Sequence, residues 1–137
     1  MSIVHEFERA FNRQDVDALL DCFTEDASYH DNFYGAHAGQ ARLRRMFDEG
    51  RDYAWNMDVV VDTPTRAAAE WTFSYVVTDV IPRSAGRKIG FRGMSLFELR
   101  NGKIQAYREY WDTGVALLQL GFKPDAVAKV LSRRLPE

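Results

Sequence analysis

The sequence predicts an α+β domain in which a curved, mixed but largely antiparallel sheet wraps a set of N-terminal helices. Three observations carry that expectation. Apolar residues recur at helical spacing early in the chain and at strand spacing through most of its second half, and turn residues separate the strand-like runs at hairpin distances. Helices gathered early and strands gathered late point away from a doubly wound arrangement. A length of 137 residues suits a single domain spanning 1–137, and 46% hydrophobic with 13% aromatic content suits a packed core.

Ser2 is placed to cap a first helix whose Ile3, Val4, Phe7 and Phe11 share one stripe. Asp15 caps a second, short helix that turns Val16, Leu19, Leu20 and Phe23 inward. Thr24-Glu25-Asp26 reads as a turn into a short strand, Ala27–Asn32, where Tyr29 and Asp31 share a face. Asn32–Gly39 reads as a loop. A third helix follows from Gln40 to Glu49, with Leu43, Met46 and Phe47 inward and Gly50 as its C-terminal cap. Arg42, Arg44 and Arg45 read as its solvated face.

Asp52–Asn56 is an irregular aromatic segment, Met57–Asp62 a strand and Thr63-Pro64-Thr65 a turn. Arg66–Thr78 is a long strand. Ala67, Ala69, Trp71, Phe73, Tyr75 and Val77 make its apolar face, while Glu70, Thr72 and Ser74 fall on the other. After a loop over Asp79–Arg87 come strands Lys88–Leu99 and Lys103–Asp112. The tail is helical, with Leu117, Leu118 and Leu120 in one short helix and Pro124 opening another.

The last two strands form a hairpin whose register decides which side chains meet. A three-residue loop, Arg100-Asn101-Gly102 with Gly102 in a left-handed bulge, pairs Leu99 with Lys103. It sets Phe91, Gly93, Ser95 and Phe97 on one face with Tyr107, Glu109 and Trp111. A two-residue turn would invert that relationship, so the longer loop is expected.

A net charge of −2 argues against a nucleic-acid partner. No apolar run reaches membrane-spanning length, and the N-terminus lacks the layout of a signal peptide. A lone cysteine, Cys22, in an apolar helical pattern reads as a buried inert thiol in a reducing compartment. A cytoplasmic location is expected.

The residues AFNRQDVDALLDCFTEDASYHDN, the hairpin GFRGMSLFELRNGKI and the strand AYREYWD together give the chain its resemblance to a known family. It resembles the nuclear transport factor 2-like superfamily, in particular the SnoaL-like branch that also includes ketosteroid isomerases and limonene-epoxide hydrolases. The resemblance covers nearly the whole chain. It implies a cone-shaped cystatin-like roll, a bent mixed sheet closed by helices around an apolar pocket, commonly dimeric through the outer sheet face. By position, Asp31 matches the isomerases' general-base aspartate, while Phe7 and Ser95 replace their oxyanion-stabilising tyrosine and aspartate. Glu109 matches an aspartate of the epoxide-hydrolase triad. Tyr29 and Asp31 match that enzyme's water-holding pair, and Trp71 and Phe73 replace the remaining triad members.

Asp31 and Glu109 are therefore the candidate catalytic pair. Burial raises carboxyl pKa values and a neighbouring carboxylate raises one further, so such a pair supplies a base and an acid. That serves proton abstraction beside a carbonyl, aldol-type cyclisation or dehydration. Tyr29, Ser95 and Tyr107 are the candidate hydrogen-bonding groups. Trp71, Phe73, Phe97 and Trp111 are the candidate apolar wall, with Tyr53 and Trp55 bordering the mouth. Plain core packing is the competing account of these aromatics. No cofactor is expected. His30 and His37 with Asp31 fit no zinc spacing, and no metal is expected.

Three functions follow. The first is an acid–base isomerase, cyclase or lyase acting on an apolar carbonyl compound. The second is a binding protein for a small hydrophobic ligand, and the third a homodimeric interaction module using an outer face of Arg92, Met94, Leu96, Arg108 and Tyr110.

Overall fold

The computed structural model describes residues 2–31, 35–37 and 40–136, with side chains described for all of these except 29–31, 35–37 and 40–43. The described chain runs α1 (Ile3–Asn12), α2 (Val16–Asp21), β1 (Phe23–Asp31), β2 (Gly35–His37), α3 (Gln40–Glu49), β3 (Gly50–Asp62), β4 (Arg66–Val77), β5 (Lys88–Arg100), β6 (Lys103–Trp111), α4 (Thr113–Gln119) and α5 (Pro124–Ser132). The strands form one six-stranded sheet in the order β2-β1-β6-β5-β4-β3. Pairing is antiparallel except between β1 and β6, which run parallel, so the sheet is mixed.

The helix starts follow the capping chemistry. Ser2 accepts from the Val4 N–H, and Asp15 from the Ala18 N–H. Asp112 ends β6 and caps α4 by accepting from Val115. Each satisfies a donor that a helix start otherwise leaves unpaired.

Helix α1 lies on the inner sheet face and organises the core. Its Phe7 stacks on Tyr107 at 5.2 Å and meets Trp55 and Phe97 edge-on at 5.2 and 5.7 Å. Phe11 meets Trp55 edge-on at 4.8 Å. The same helix shields the outer edge of β3, the last strand of the sheet. The Asn12 amide donates to the Trp55 carbonyl at 2.9 Å and accepts from the Trp55 N–H at 2.7 Å, and the Met57 N–H donates to Glu8. Side chains thereby occupy backbone groups that an open edge would offer to another chain.

Several expectations change. Thr24-Glu25-Asp26 lies within β1, whose ladder to β6 is irregular between Phe23 and Ser28. The expected loop after β1 contains the short strand β2, paired through Tyr29 with His37. Gly50 is the first residue of β3 rather than a helix cap, and its role is spatial. A Cβ there would fall 2.3 Å from the Tyr53 hydroxyl, which donates to the Met46 carbonyl. Residues 52–56 belong to β3, and their irregularity is a break in register between Arg51 and Ala54, where Asp52 takes φ 55°.

The hairpin also differs. Arg100 pairs with Lys103 and Leu99 with Ile104, so Asn101 and Gly102 (φ 52° and 78°) make a two-residue turn. A bulge then restores the face relationship. Glu98 pairs with Ala106, leaving Gln105 as the extra residue, and beyond it Phe97 faces Tyr107, Ser95 faces Glu109 and Gly93 faces Trp111. The turn is shorter than expected, and the aromatic face survives because β6 carries one more residue. The bulge also explains why Ile104 and Tyr107 are both fully buried although odd and even positions should face apart.

Candidate functional site

A cavity of about 210 Å³ opens between the inner sheet face and the helices. β3 contributes Tyr53 and Trp55, β4 contributes Trp71, Phe73 and Tyr75, and β5 and β6 contribute Phe91, Glu109 and Trp111. Phe11, Met46 and Glu49 come from α1 and α3, and Ile81, Leu117, Leu120 and Phe122 come from the later loops and α4. The cavity is therefore assembled from nearly the whole length of the chain.

Glu109 is the carboxylate in the aromatic part of that wall, with 6% of its surface exposed. It accepts from the Tyr107 hydroxyl at 2.6 Å and from the Trp111 indole N–H at 3.1 Å. Behind Tyr107 the chain of donors continues. Ser95 Oγ lies 2.9 Å from the Tyr107 hydroxyl, and Trp71 Nε1 donates to Ser95 Oγ at 2.8 Å. An indole can only donate, so Ser95 accepts from Trp71, and at the other end of the line the Tyr107 hydroxyl donates to Glu109. The line of hydrogen bonds ends on the carboxylate.

Two lining side chains have distinct polar environments. The Tyr75 hydroxyl has its pKa pushed up to about 12, chiefly by burial and further by the nearby Glu49 carboxylate. It stays a neutral donor through the physiological range. The Trp55 indole N–H, on a residue only 3% exposed, has no hydrogen-bond partner among the described residues. Trp71 and Phe73 approach its ring edge-on at 5.3 and 5.1 Å.

Of the expected site residues, Glu109, Trp55, Trp71, Phe73 and Trp111 line the cavity. Trp55 sits in the wall rather than at the mouth, because residues 52–56 are strand. Phe97 and Tyr107 are corrections: both are 0% exposed and pack into the core against Phe7. Ser95 is buried behind the wall with its hydroxyl engaged between Trp71 and Tyr107. The side chains of Tyr29, Asp31, His30 and His37 lie outside the described residues. Their backbone is described. Tyr29 pairs with Tyr107 and His30 with Arg108, and extending that register by one residue sets Asp31 level with Glu109.

Sequence reading missed Phe91, Met46, Ile81, Leu120 and Phe122 as lining residues. Phe91 was the accessible one, since it shares a face with Trp111 and stacks on it at 4.3 Å. The outer face carries Arg108 bonded to Glu98 at 2.8 Å and Arg66 to the same carboxylate at 3.4 Å, with Met94 and Tyr110 exposed. Among the described residues no helix is long and apolar enough to cross a membrane.

A family model described as the SnoaL-like domain matches residues 4–107. A candidate polyketide cyclase of known structure from Xanthomonas campestris pv. campestris is 28% identical, with a TM-score of 0.71 over 87% of this chain and 94% of that one. A hypothetical protein from Catenulispora acidiphila with a ketosteroid isomerase-like fold, in complex with trimethylamine, is 17% identical with a TM-score of 0.76 over 90% and 95% of the two chains. The candidate hydroxylase AclR from Streptomyces galilaeus is 13% identical with a TM-score of 0.74 over 89% and 95%. At such identities the last two speak to the fold alone, and they share the cone of bent sheet and helices described above. No curated protein is significantly similar in sequence.

Proposed function

The chain belongs to the SnoaL-like domain family, and on that footing we propose that its cavity performs acid–base chemistry on a small apolar carbonyl compound, as an isomerase, cyclase or lyase. The observation that carries this reading is the buried Glu109, set in an aromatic wall and held by the Tyr107 and Trp111 donors. The apolar wall spares the carboxylate the solvent rearrangement that proton transfer from carbon would otherwise require, and its two donors hold it in place.

Glu109 takes a proton from the carbon beside the substrate's carbonyl, and the C–H electron pair moves into the enolate. Return of that proton to a different carbon gives isomerisation. Attack of the enolate carbon on a second carbonyl closes a ring, with the proton delivered to the new alkoxide. Asp31, level with Glu109 on the adjoining strand, is the second carboxyl group of the pair.

The test is hydrogen–deuterium exchange at the carbon beside the carbonyl of 2-tetralone in deuterium oxide, followed by proton NMR. The wild type should exchange faster than buffer, and Glu109→Gln should be slower by about 100-fold or more. Asp31→Asn should also lose exchange while still binding the ketone. A wild type that binds 2-tetralone without accelerating exchange leaves the second reading, a binding protein. That reading is favoured by Ser95, whose hydroxyl is taken up by Trp71 and Tyr107.

A further inference from the structure

The size of the cavity and the way one side chain bounds it carry a statement about what can enter. Trp71 on β4 pairs across the sheet with Gly93 on β5. Its indole lies over that glycine: a Cβ built at Gly93 would fall 2.7 Å from both Cη2 and Cζ2 of the ring. The other inward positions of β5, among them Ile89, Phe91, Ser95 and Phe97, carry side chains. The gap at Gly93 is thus the place where an indole can settle onto the sheet. Three restraints keep it there: the bond from Nε1 to Ser95 at 2.8 Å, the edge-on contact with Trp55 at 5.3 Å and that with Phe91 at 6.0 Å.

The room left beside it is about 210 Å³. An apolar cavity of about 150 Å³ takes a benzene ring, and sites for drug-sized ligands begin near 300 Å³. We infer that this site admits a planar ligand of one or two fused rings and excludes a third, and that Trp71 is the residue that fixes the limit. Planarity follows from walls built of rings, among them Trp55, Trp71, Phe73, Phe91 and Trp111, which leave slots rather than spheres. The carbonyl on such a ligand rests on the acid–base reading above. The size limit does not, since it follows from volume and from the pinned indole.

The limit is tested by isothermal titration calorimetry with acetophenone, 2-tetralone and anthrone, ketones of one, two and three rings. The wild type should bind 2-tetralone at least about tenfold more tightly than anthrone, the discrimination expected when part of a ligand is denied its pocket. Trp71→Leu opens the space over Gly93 and should bring anthrone to within about threefold of 2-tetralone. Trp71→Phe should move the ratio in the same direction, and it carries the test if circular dichroism finds the leucine variant unfolded. Wild type binding anthrone as tightly as 2-tetralone overturns the inference. So does a folded Trp71 variant that keeps the wild-type ranking, or a wild type that binds none of the three. Because the readout is affinity, absent exchange at Glu109 would overturn the catalytic reading and leave the size limit standing.

Discussion

The Tyr107 hydroxyl and Glu109 Oε2 are 2.6 Å apart, joined along one face of β6 by residues two positions apart. A tyrosine 0% exposed in the core thus has its polar end tied to a carboxylate at the cavity wall. The bond links the core packed around Phe7 to the group proposed to do chemistry. Ser95 and Trp71 extend the same line of hydrogen bonds behind it.

Removing that donor should be felt in stability and in chemistry. Tyr107→Phe keeps the ring against Phe7 but deletes both the bond to the Glu109 carboxylate and the one shared with Ser95, so the expected cost is at least about 1.5–3 kcal/mol. Ser95→Ala, one link further from the carboxylate, should cost less. Urea unfolding of both variants measures the order, and a larger loss in Ser95→Ala would contradict a line of donors that ends on Glu109. Exchange of 2-tetralone should slow in the same order.

The clamp between Asn12 and the Trp55 backbone makes a second claim. Asn12→Ala frees a buried N–H and a carbonyl on the edge strand at once, for an expected loss of about 1–3 kcal/mol. It should also expose part of the β3 edge, so the variant should aggregate on heating more readily than the wild type. Light scattering during a thermal ramp checks the second effect. A variant with an unchanged urea midpoint would mean that solvent replaces the clamp at no cost.

Much of this architecture was legible because its signals are local. Ser2 and Asp15 are caps whose chemistry sits within three residues of what they bond, whereas the cap role of Asp112 emerged only with the structure. The alternation along the first half of β4 survives because Ala67, Ala69 and Trp71 are buried in one core while Glu70 and Thr72 are exposed. What was hidden depends on distant partners. Gly50 resembles a helix cap until Tyr53 is seen to occupy the space its side chain would need. The bulge at Gln105 has no composition signal, and the hairpin's short turn and its bulge offset each other in parity. Leu117, Leu120 and Phe122 reach the cavity because the Gln119 amide brackets Gly90, donating to its carbonyl and accepting from its N–H, both at 2.7 Å. Periodicity along a helix does not contain such a dock. Phe97 and Tyr107 were misplaced for the converse reason: an aromatic behind a wall and one in it follow the same alternation.

Cys22 should behave as an inert thiol while the chain is folded. Burial pushes its pKa up to about 11, with the charges of Glu6 and Asp21 adding to the effect. At pH 8 only about a thousandth of it is thiolate, and the thiolate is the reactive form. A disulfide reagent such as Ellman's should therefore label native protein very slowly and react promptly in denaturing urea. Rapid stoichiometric labelling of the native form would show that the thiol is reached without unfolding.

Tyr75 gives the fold an alkaline limit. Its phenol keeps its proton to about 12 in the folded chain, against the ordinary value of 10.0, because burial and Glu49 both disfavour the phenolate. Between those values the unfolded chain has released a proton that the folded chain still holds, so stability must fall as pH rises through that window. Below the ordinary tyrosine range both states are protonated and the group contributes no slope. Tyr75→Phe removes the titration while keeping the ring stacked on Tyr53. Urea midpoints taken at intervals from about pH 9 to about pH 11.5 should therefore decline less steeply in the variant than in the wild type. Parallel declines would mean that Tyr75 ionises in the folded protein much as it does in the unfolded chain, and that the wall around it admits water.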